Sequence, residues 1–398
     1  MDRGGKIRSF NIASELARRH EVDLFMFYPS TTPDPHDQLR DRFARVDCVP
    51  LDLPKRASVP DTLAYAANAA TMRPYQMRKY CRPAVQRRLR ELLSGEHYDV
   101  LLCDFLLTAG VVPWDLGTRT VLFTHNVETT IWKRHFLVNK NPLWKLVAWR
   151  EYRTMARAER RFTEMADHVL TVSDEDRGAF LEFLPEEKVT TVPTGVDLEY
   201  FKPADKPQTA HSLVFTGSMD WLPNEDAIIY FSTEILPLVQ QRIPGVTLSV
   251  VGRKPGRKVI ALAEKNPAIR VTGAVADIRP YVHEAAVYVV PLRIGGGTRI
   301  KIFEAMAMGS AVVSTSIGAE GLPVADGKNL LLADSPQDFA DRTVALLTGP
   351  AERQRLGLAA RALVESRYSW TEVTNVLEKV LTQVAESNFR QCRRTEVN

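Results

Sequence analysis

Residues 295–309 read GGGTRIKIFEAMAMG, and this stretch decides the fold. An apolar run over residues 286–292 precedes it and is typical of a buried strand, and a second apolar run over residues 311–313 predicts the next strand. Between them we expect a short helix that begins at Ile300. A strand, a glycine-rich loop, a helix and another strand form the repeating unit of a parallel α/β sheet.

The same stretch predicts an anion site. Glycine-rich backbone at the end of a strand offers free N–H groups, and the start of the following helix adds a positive dipole end. Arg299 and Lys301 lie where that dipole disfavours cations, which favours a bound anion over the alternative of solvated surface charges. Glu304, about one turn further on, can accept hydrogen bonds from hydroxyl groups. A site that binds a phosphate and then a pair of neighbouring hydroxyl groups is typical of nucleotide-sugar binding.

Composition sets the wider limits. A chain of 398 residues predicts two domains, and its 45% hydrophobic and 25% charged residues are ordinary for a globular enzyme. The net charge of +4 gives no sign of nucleic-acid binding. Four cysteines lack metal-ligand spacing and favour a reducing compartment. No apolar stretch approaches the ~20 residues that span a bilayer. We therefore expect a cytoplasmic protein, possibly peripheral on the inner face of the plasma membrane.

Strand and helix patterns alternate along the chain, which predicts two parallel-sheet domains. Among the predicted elements are helices over 11–19 and 224–241 and a strand over 247–251. Turn-rich residues 192–197 and a polar, proline-containing passage over 203–208 place the boundary. We predict an amino-terminal domain over 1–195, a linker over 196–208, a carboxyl-terminal domain over 209–368 and a crossover helix with a tail over 369–398. Ligands of open α/β sheets bind at the carboxyl ends of the strands, so we expect substrates to meet in a cleft between the domains.

The sequence resembles the family 4 retaining glycosyltransferases, which have the two-Rossmann GT-B fold. The resemblance covers nearly the whole chain and rests on three motifs: VPTGVD at 192–197, FEAMAMG at 303–309 and GAEGL at 318–322. Two further segments, FTGSMDW at 215–221 with Pro223 and Asn224 after it, and GTRIK at 297–301, resemble the exosortase-associated sugar transferases of bacterial exopolysaccharide loci. The resemblance also implies that the last helix returns toward the first domain.

This family usually has two glutamates with seven residues between them. Glu304 matches the second, which the resemblance makes a ligand of the donor ribose. The first position holds Gly296, so backbone N–H groups of Gly296, Gly297 and Thr298 are expected to contact the donor instead. The family also has an arginine and a lysine after the first strand of the second domain. Here that loop, residues 217–221, contains neither, and our hypothesis is that Arg299 and Lys301 supply these charges from the other side of the diphosphate.

Other residues are expected at the same donor site. The resemblance places Gly217 and Ser218 at the diphosphate and Val275 at the nucleobase, which would be uracil or guanine. Gly252 and Arg253 end another strand and are further candidates, although these loops could also be ordinary turns. No Asp-x-Asp motif stands at a predicted strand end, so the sequence predicts no metal, and no cofactor is required besides the donor. Asp174 and Asp176 read as the acidic first turn of a capped helix, with metal binding as the less favoured alternative.

In the first half, His125 follows a predicted strand over 120–124. The resemblance makes it a contact to the donor sugar or the acceptor, and we group it with Arg299 and Lys301 as the catalytic residues; no covalent nucleophile is expected. Gly4, Gly5 and Lys6 match the glycine-rich loop that closes over acceptor and phosphates.

In the family, an apolar strand precedes that glycine-rich loop, whereas this sequence begins inside the loop. We expect either a native start further upstream or a first sheet without its central strand. The first alternative is favoured because an empty slot in a sheet leaves buried backbone groups unpaired.

Two basic and aromatic segments, over 73–80 and 132–136, and the nearby Trp144 and Trp149 allow two interpretations. They could form a surface that meets anionic lipid headgroups, or they could be solvated helix faces whose aromatic residues are buried.

The sequence as a whole predicts a retaining hexosyltransferase. It would use a UDP- or GDP-sugar and a saccharide or lipid-linked acceptor, in exopolysaccharide synthesis, as a monomer or weak dimer. The alternatives are a catalytically inactive sugar-nucleotide-binding protein and a GT-B-type nucleotide-sugar epimerase. The epimerase would need acid/base carboxylates facing the sugar, which Gly296 argues against.

Overall fold

A computed structural model describes residues 4–55, 58–138, 141–204, 208–294 and 300–395. The chain forms two compact α/β units. The first contains Met1–Pro193 together with Thr374–Asn398, and the second contains Thr194–Val373. The last helix, α16 (Trp370–Thr395), therefore begins in the second unit and continues in the first.

Over its described residues, the first unit has six strands and, besides α16, eight α-helices. The strands are β1 (Asp23–Tyr28), β2 (Arg45–Pro50), β3 (Leu101–Asp104), β4 (Thr120–Phe123), β5 (His168–Thr171) and β6 (Val189–Thr191). The helices are α1 (Gly4–Leu16), α2 (His36–Leu39), α3 (Val59–Ala69), α4 (Tyr75–Tyr80), α5 (Pro83–Gly95), α6 (Glu128–Val138), α7 (Pro142–Met165) and α8 (Asp174–Leu181).

All strand pairs of the first unit are parallel, and they form two separate sheets. One contains β1 and β2, and the other has the order β3-β4-β5-β6. β4 and β5 are buried along their whole length, as expected for parallel strands with helices on both faces. The ends of β3 and β4 lie side by side, with Asp104 opposite Phe123. Side chains that follow these two strands are therefore brought together.

The second unit contains one parallel sheet of six strands. The strands are β7 (Thr209–Thr216), β8 (Thr247–Val251), β9 (Ile269–Gly273), β10 (Ala285–Val290), β11 (Val312–Ser314) and β12 (Leu331–Leu332). The helices are α9 (Leu222–Tyr230), α10 (Leu236–Arg242), α11 (Arg257–Lys265), α12 (Arg279–Glu284), α13 (Ile300–Ala307), α14 (Pro336–Thr348) and α15 (Pro350–Arg367).

The strand order of this sheet, β12-β11-β10-β7-β8-β9, reverses direction between β7 and β10. Successive strands are added on one side of β7 up to β9 and then on its other side from β10. Such a reversal leaves a crevice beyond the carboxyl ends of the two central strands, where open α/β sheets bind ligands. The loops that follow β7 and β10 flank this point.

The structure corrects two sequence predictions. The single helix predicted over 224–241 is α9 and α10 joined by a turn of π-helix over Phe231–Ile235. Pro237 explains the interruption, because proline has no N–H to donate and its ring crowds the carbonyl one turn earlier. The helix that was predicted to start at Asn11 begins at Gly4. The predicted glycine-rich loop over Gly4, Gly5 and Lys6 is therefore the first turn of α1. Ser9 stabilises that turn by donating from Oγ to the Gly5 carbonyl at 2.9 Å.

Candidate functional site

The two elements that flank the predicted anion site in sequence, β10 and α13, follow the strand-order reversal of the second unit. β10 is buried at all six positions, and α13 begins at Ile300, as predicted. Gly296, Gly297, Thr298 and Arg299 lie outside the described residues. Lys301 is described, and it lies in the first turn of α13.

Lys301 reaches across to the loop that follows β7. Its Nζ donates to Asn224 Oδ1 at 2.6 Å and lies 4.4 Å from the centre of the Phe215 ring. Asn224, which is buried in the first turn of α9, donates from Nδ2 to the Ser218 carbonyl at 2.9 Å. The amide of Asn224 therefore connects the lysine to the backbone of the β7 loop.

Two glycines allow this close approach. A Cβ on Gly217 would lie 2.6 Å from Asn224 Nδ2 and 2.9 Å from Lys301 Nζ. A Cβ on Gly252 would lie only 1.7 Å from the carbonyl oxygen of Gly217. The loops after β7 and β8 thus pack backbone against backbone, and no side chain fits between them.

Arg253 brings a second cation to the β7 loop. Its Nε donates to Ser218 Oγ at 2.9 Å, and its carbonyl accepts from the backbone N–H of Met219 at 3.0 Å. The β7 loop has no cation over residues 217–221, yet Lys301 and Arg253 approach it from two neighbouring loops. Such a cluster of cations and backbone at the ends of parallel strands suits a diphosphate.

Glu304 lies one turn beyond Lys301 and is partly buried. Burial raises the pKa of Glu304 to about 7, and the charge of Lys301 opposes this shift. Burial also raises the pKa of Tyr288, with Glu304 contributing to the shift, and the Tyr288 hydroxyl is hydrogen-bonded to Thr216 Oγ1. A carboxylate in this setting gains by accepting hydrogen bonds from a bound hydroxyl pair.

Val275 lies in the loop after β9, where it packs against the core of the second unit. Its backbone remains a candidate contact for the nucleobase. The structure brings four of the described donor candidates into contact: Gly217, Ser218, Arg253 and Lys301. Gly252 packs against the backbone of Gly217 and so supports this loop. Glu304 is near Lys301 on the same helix.

In the first unit, His125 follows β4 and pairs with a residue that ends β3. His125 Nε2 lies 2.6 Å from Asp104 Oδ1, and the other carboxylate oxygen of Asp104 accepts from Ser9 Oγ. The His125 side chain is 8% exposed and that of Asp104 is 30% exposed. Burial lowers the pKa of His125, Asp104 opposes the shift, and the positive charge of Arg8 adds to it.

Phe105 fixes the plane of the imidazole ring. It has φ of 75°, an unusual conformation for a bulky residue, and its ring stacks on His125 with centroids 3.8 Å apart and an interplanar angle of 12°. A Cβ on Gly5 would lie 2.8 Å from the Phe105 ring and 4.0 Å from His125 Nδ1. Nδ1 of His125 therefore faces the first turn of α1. This turn contains Gly4, Gly5 and Lys6, which the sequence analysis predicted as a binding segment.

Arg8 anchors this turn from within the core. Its guanidinium lies 4.1 Å from the centre of the Phe123 ring, and Nη2 donates to the carbonyl of Val192. Burial lowers the pKa of Arg8 to about 9, against the attraction of Asp104 and Asp176. The cation ties α1 to the end of β6.

A buried carboxylate caps the helix that follows His125. Glu159 of α7 accepts from the backbone N–H groups of Glu128 at 2.8 Å and Thr129 at 3.2 Å, so it stabilises the start of α6. Burial raises the pKa of both Glu128 and Glu159 to about 7.

Across the described ranges, no group of three or more His, Cys, Asp or Glu side chains could hold a metal ion. Asp174 and Asp176 form the acidic first turn of α8 behind Ser173, whose Oγ accepts from the Asp176 N–H at 3.1 Å, as predicted. Within the same ranges, every helix is too short or too polar to cross a bilayer.

Sequence reasoning missed two residues of these sites. Asp104 ends an apolar strand next to the one that precedes His125, and this position was a usable signal. Asn224 lies in a motif quoted for the resemblance, but its partner Lys301 is 77 residues away. Only the pairing of β7 with β10 brings the two together.

Comparison with known proteins agrees with this architecture. A family profile described as glycosyltransferase family 4 matches residues 3–200, and one described as glycosyl transferases group 1 matches residues 210–349. The phosphatidyl-myo-inositol mannosyltransferase of Mycobacterium tuberculosis is 31% identical over 234 residues, which are 56% of this chain and 61% of that protein.

Solved structures share the fold at low sequence identity. A sucrose-phosphate synthase from Thermosynechococcus elongatus superposes with a TM-score of 0.71 and 19% identity, over 97% of this chain and 94% of that one. Anabaena HepE, solved in complex with UDP-glucose, gives a TM-score of 0.64 and 14% identity, over 96% of this chain and 98% of that one. The fold is therefore GT-B, with a glycosyltransferase family 4 match over residues 3–200 and a glycosyl transferases group 1 match over residues 210–349.

Proposed function

We propose that this protein transfers a hexose, with retention of the anomeric configuration, from a UDP- or GDP-sugar to a saccharide or lipid-linked acceptor in exopolysaccharide synthesis. The family supports the reaction class, and the UDP-glucose complex of a protein with the same fold supports a nucleotide-sugar donor. A cytoplasmic location with peripheral membrane contact is part of the proposal.

The observation that carries the proposal is the position of Lys301. Its Nζ lies against the β7 loop at Gly217, where the resemblance leads one to expect cations that this loop lacks. A lysine displaced onto α13 can neutralise the same diphosphate from the opposite side. Arg253 provides a second charge at Ser218.

In this proposal the donor diphosphate binds between the β7 loop and the start of α13. Lys301, Arg299 and the helix dipole stabilise the negative charge that develops on the departing nucleotide diphosphate. Glu304 accepts hydrogen bonds from the ribose hydroxyls and fixes the nucleoside. His125, held by Asp104, offers Nδ1 as an acceptor to a hydroxyl of the sugar or of the acceptor.

The test is donor binding by the wild type and by the Arg299→Ala/Lys301→Ala variant. Thermal shifts with UDP, GDP and their sugars identify the base, because a ligand at 100 times its Kd adds about 2.7 kcal/mol of stability. We expect the double variant to lose at least about tenfold in donor affinity, since hydrogen bonds to charged groups contribute roughly 1.5–3 kcal/mol each. Arg257→Ala/Lys258→Ala, on the exposed start of α11, is the matched control. Unchanged donor affinity in the Arg299/Lys301 variant refutes the charge assignment.

Product analysis separates the alternatives. A retaining transferase releases the nucleotide diphosphate and forms an α-linked product from an α-linked donor. An inactive binding protein would show the thermal shift with no turnover. An epimerase would convert one nucleotide sugar into another.

A further inference from the structure

We infer that the first unit has a docking surface for anionic bilayers, made by α3, the end of α6 and the amino-terminal two-thirds of α7. We call it the α3–α7 surface. The inference deepens the membrane contact included in the proposed function and does not depend on which sugar is transferred. It rests on exposed apolar side chains, a groove and the distribution of charge.

The first observation is a concentration of large apolar side chains in solvent. On α7, Leu143 is 75% exposed and Leu146 is 62% exposed, and Val138 at the end of α6 is 76% exposed. Trp144 and Trp149 on α7 are also exposed. Several large exposed apolar side chains on the first turns of one helix suggest an interaction site, because single exposed residues are normal but concentrations of them are not.

The aromatic residues of the two basic segments do not contribute equally. Tyr75 is buried and donates from its hydroxyl to Asp61 Oδ1 at 2.7 Å, and Trp132 is partly buried against the core of the first unit. For these residues the structural interpretation holds. Trp144 and Trp149, whose rings remain exposed, are the pair that a membrane interface would use.

The second observation is a groove of about 470 Å³ between α3 and α7. Tyr65, Met72, Leu146 and Trp149 are among its lining residues, so its wall is largely apolar. Its volume and open, apolar wall suit one acyl chain or prenyl segment better than a polar ligand.

The third observation is the charge around the groove. Arg153 and Arg157 are exposed lining residues one turn apart on α7; Arg153 lies over the Trp149 ring and Arg157 approaches Met72 Sδ at 3.9 Å. Arg150, beside them, is held by carbonyls of the α3–α4 connection, including that of Asn68 at 2.7 Å.

Exposed acidic residues do not balance Arg153 and Arg157. Glu151 is buried and pairs with Arg150, and Asp61 of α3 is buried and pairs with Lys79. Glu128, the other acid between residues 128 and 157, is not exposed in the described structure. Exposed apolar groups together with cations, and without exposed acids, are complementary to an anionic lipid surface. A bilayer is favoured over a single amphiphile because the apolar residues extend past the groove to Val138 and Leu143.

The experiment is co-sedimentation of the full chain with phosphatidylcholine vesicles, with and without phosphatidylglycerol, at low and high salt. We expect binding only to the anionic vesicles, weakened by salt. Arg153→Gln/Arg157→Gln should lower the vesicle partition coefficient about 30-fold, and Leu143→Gln/Leu146→Gln about tenfold or more.

The matched control is Arg257→Gln/Lys258→Gln/Leu358→Gln, which changes exposed residues of the same types in the second unit and should bind vesicles like the wild type. Circular dichroism and the thermal shift with UDP and GDP show whether each variant is folded and binds donor. Wild-type protein that ignores phosphatidylglycerol, or α7 variants that bind like the control, would overturn the inference while leaving the donor site intact. A dimer in solution that the leucine variants dissociate, without vesicle binding, would make the surface a protein interface and would also overturn it.

Discussion

Asp104 Oδ1 and His125 Nε2 lie 2.6 Å apart, at the ends of the adjacent parallel strands β3 and β4. A carboxylate can only accept hydrogen bonds, so Nε2 carries the proton and Nδ1 of the neutral ring is an acceptor. Stacking on Phe105 holds that acceptor toward Gly5. The arrangement prepares the imidazole for a hydroxyl of donor or acceptor.

We predict that Asp104→Asn lowers kcat by on the order of tenfold, because an amide can donate to the ring and favour the other tautomer. The pH profile should also change. Asp104 raises the pKa of His125 against burial, so its neutralisation moves the acid limb of the profile to lower pH. Ser9→Ala removes the other hydrogen bond of Asp104 and should leave that limb in place. A lower rate with an unshifted acid limb would mean that Asp104 serves folding alone.

Glu304 combines a stability cost with a proposed binding role. Its pKa rises from 4.5 in the unfolded chain to about 7 in the folded protein. The folded state binds this proton more tightly, so ionising the group costs stability as pH rises from about 4.5 to about 7, and the cost is fully present above that. Glu304→Gln should therefore stabilise the free protein by roughly 1–3 kcal/mol at pH 8 and by almost nothing at pH 4.5.

Chemical denaturation of both proteins at the two pH values measures this difference. Titration of donor binding on the same samples should show weaker binding by Glu304→Gln, since an amide is a poorer acceptor for a diol than a carboxylate. Equal stabilities at pH 8 would contradict the effect of burial. Equal donor affinities of the wild type and Glu304→Gln would show that Glu304 does not bind the ribose.

Much of the second unit was predictable from sequence. β8 was predicted over the observed residues Thr247–Val251, and α13 was predicted to begin at Ile300. These elements are strongly apolar or periodic and are bounded by glycine, so local pattern determines them. β1 and β2 were not predicted. β2 mixes polar with apolar residues and ends in proline, so its pattern is weak. β1 contains an apolar run over 24–28, which was a usable signal.

The contacts within the sites were harder to predict. Lys301 and Asn224 are in contact because β7 and β10 are neighbouring strands. The local periodicity of a sequence does not indicate the order of strands in a sheet. The start of α1 was placed too late because glycines near an amino terminus normally indicate a loop. Arg8, Ser9 and the packing of Gly5 on Phe105 stabilise helix there instead.

The two glycines at the donor loops should respond differently to alanine. Gly252→Ala places a methyl group against the Gly217 backbone, which cannot move aside, and should cost at least about 2 kcal/mol of unfolding free energy. Gly217→Ala places its methyl group against the side chains of Asn224 and Lys301, and the φ of 156° at Gly217 strains alanine as well. We expect a loss of stability here too, together with the larger loss of donor affinity, because Lys301 is displaced. Denaturant midpoints and donor titrations compare the two variants, and the reverse order of effects would contradict the loop packing.

The pair Lys301 and Asn224 provides the sharpest test of the donor site. Asn224 Oδ1 orients Lys301 Nζ at 2.6 Å, while its Nδ2 binds the Ser218 carbonyl at 2.9 Å. Lys301→Ala should weaken donor binding about tenfold or more, and Asn224→Ala should weaken it less, because the charge remains but loses its position. In the double variant the two losses should not add, with a coupling of about 0.5–3 kcal/mol in donor binding free energy.

Lys258→Ala, on exposed α11, should leave donor binding unchanged. Additive losses from a complete cycle would show that the two side chains contact the donor independently, and Asn224 would then be a donor ligand and not the residue that positions the lysine.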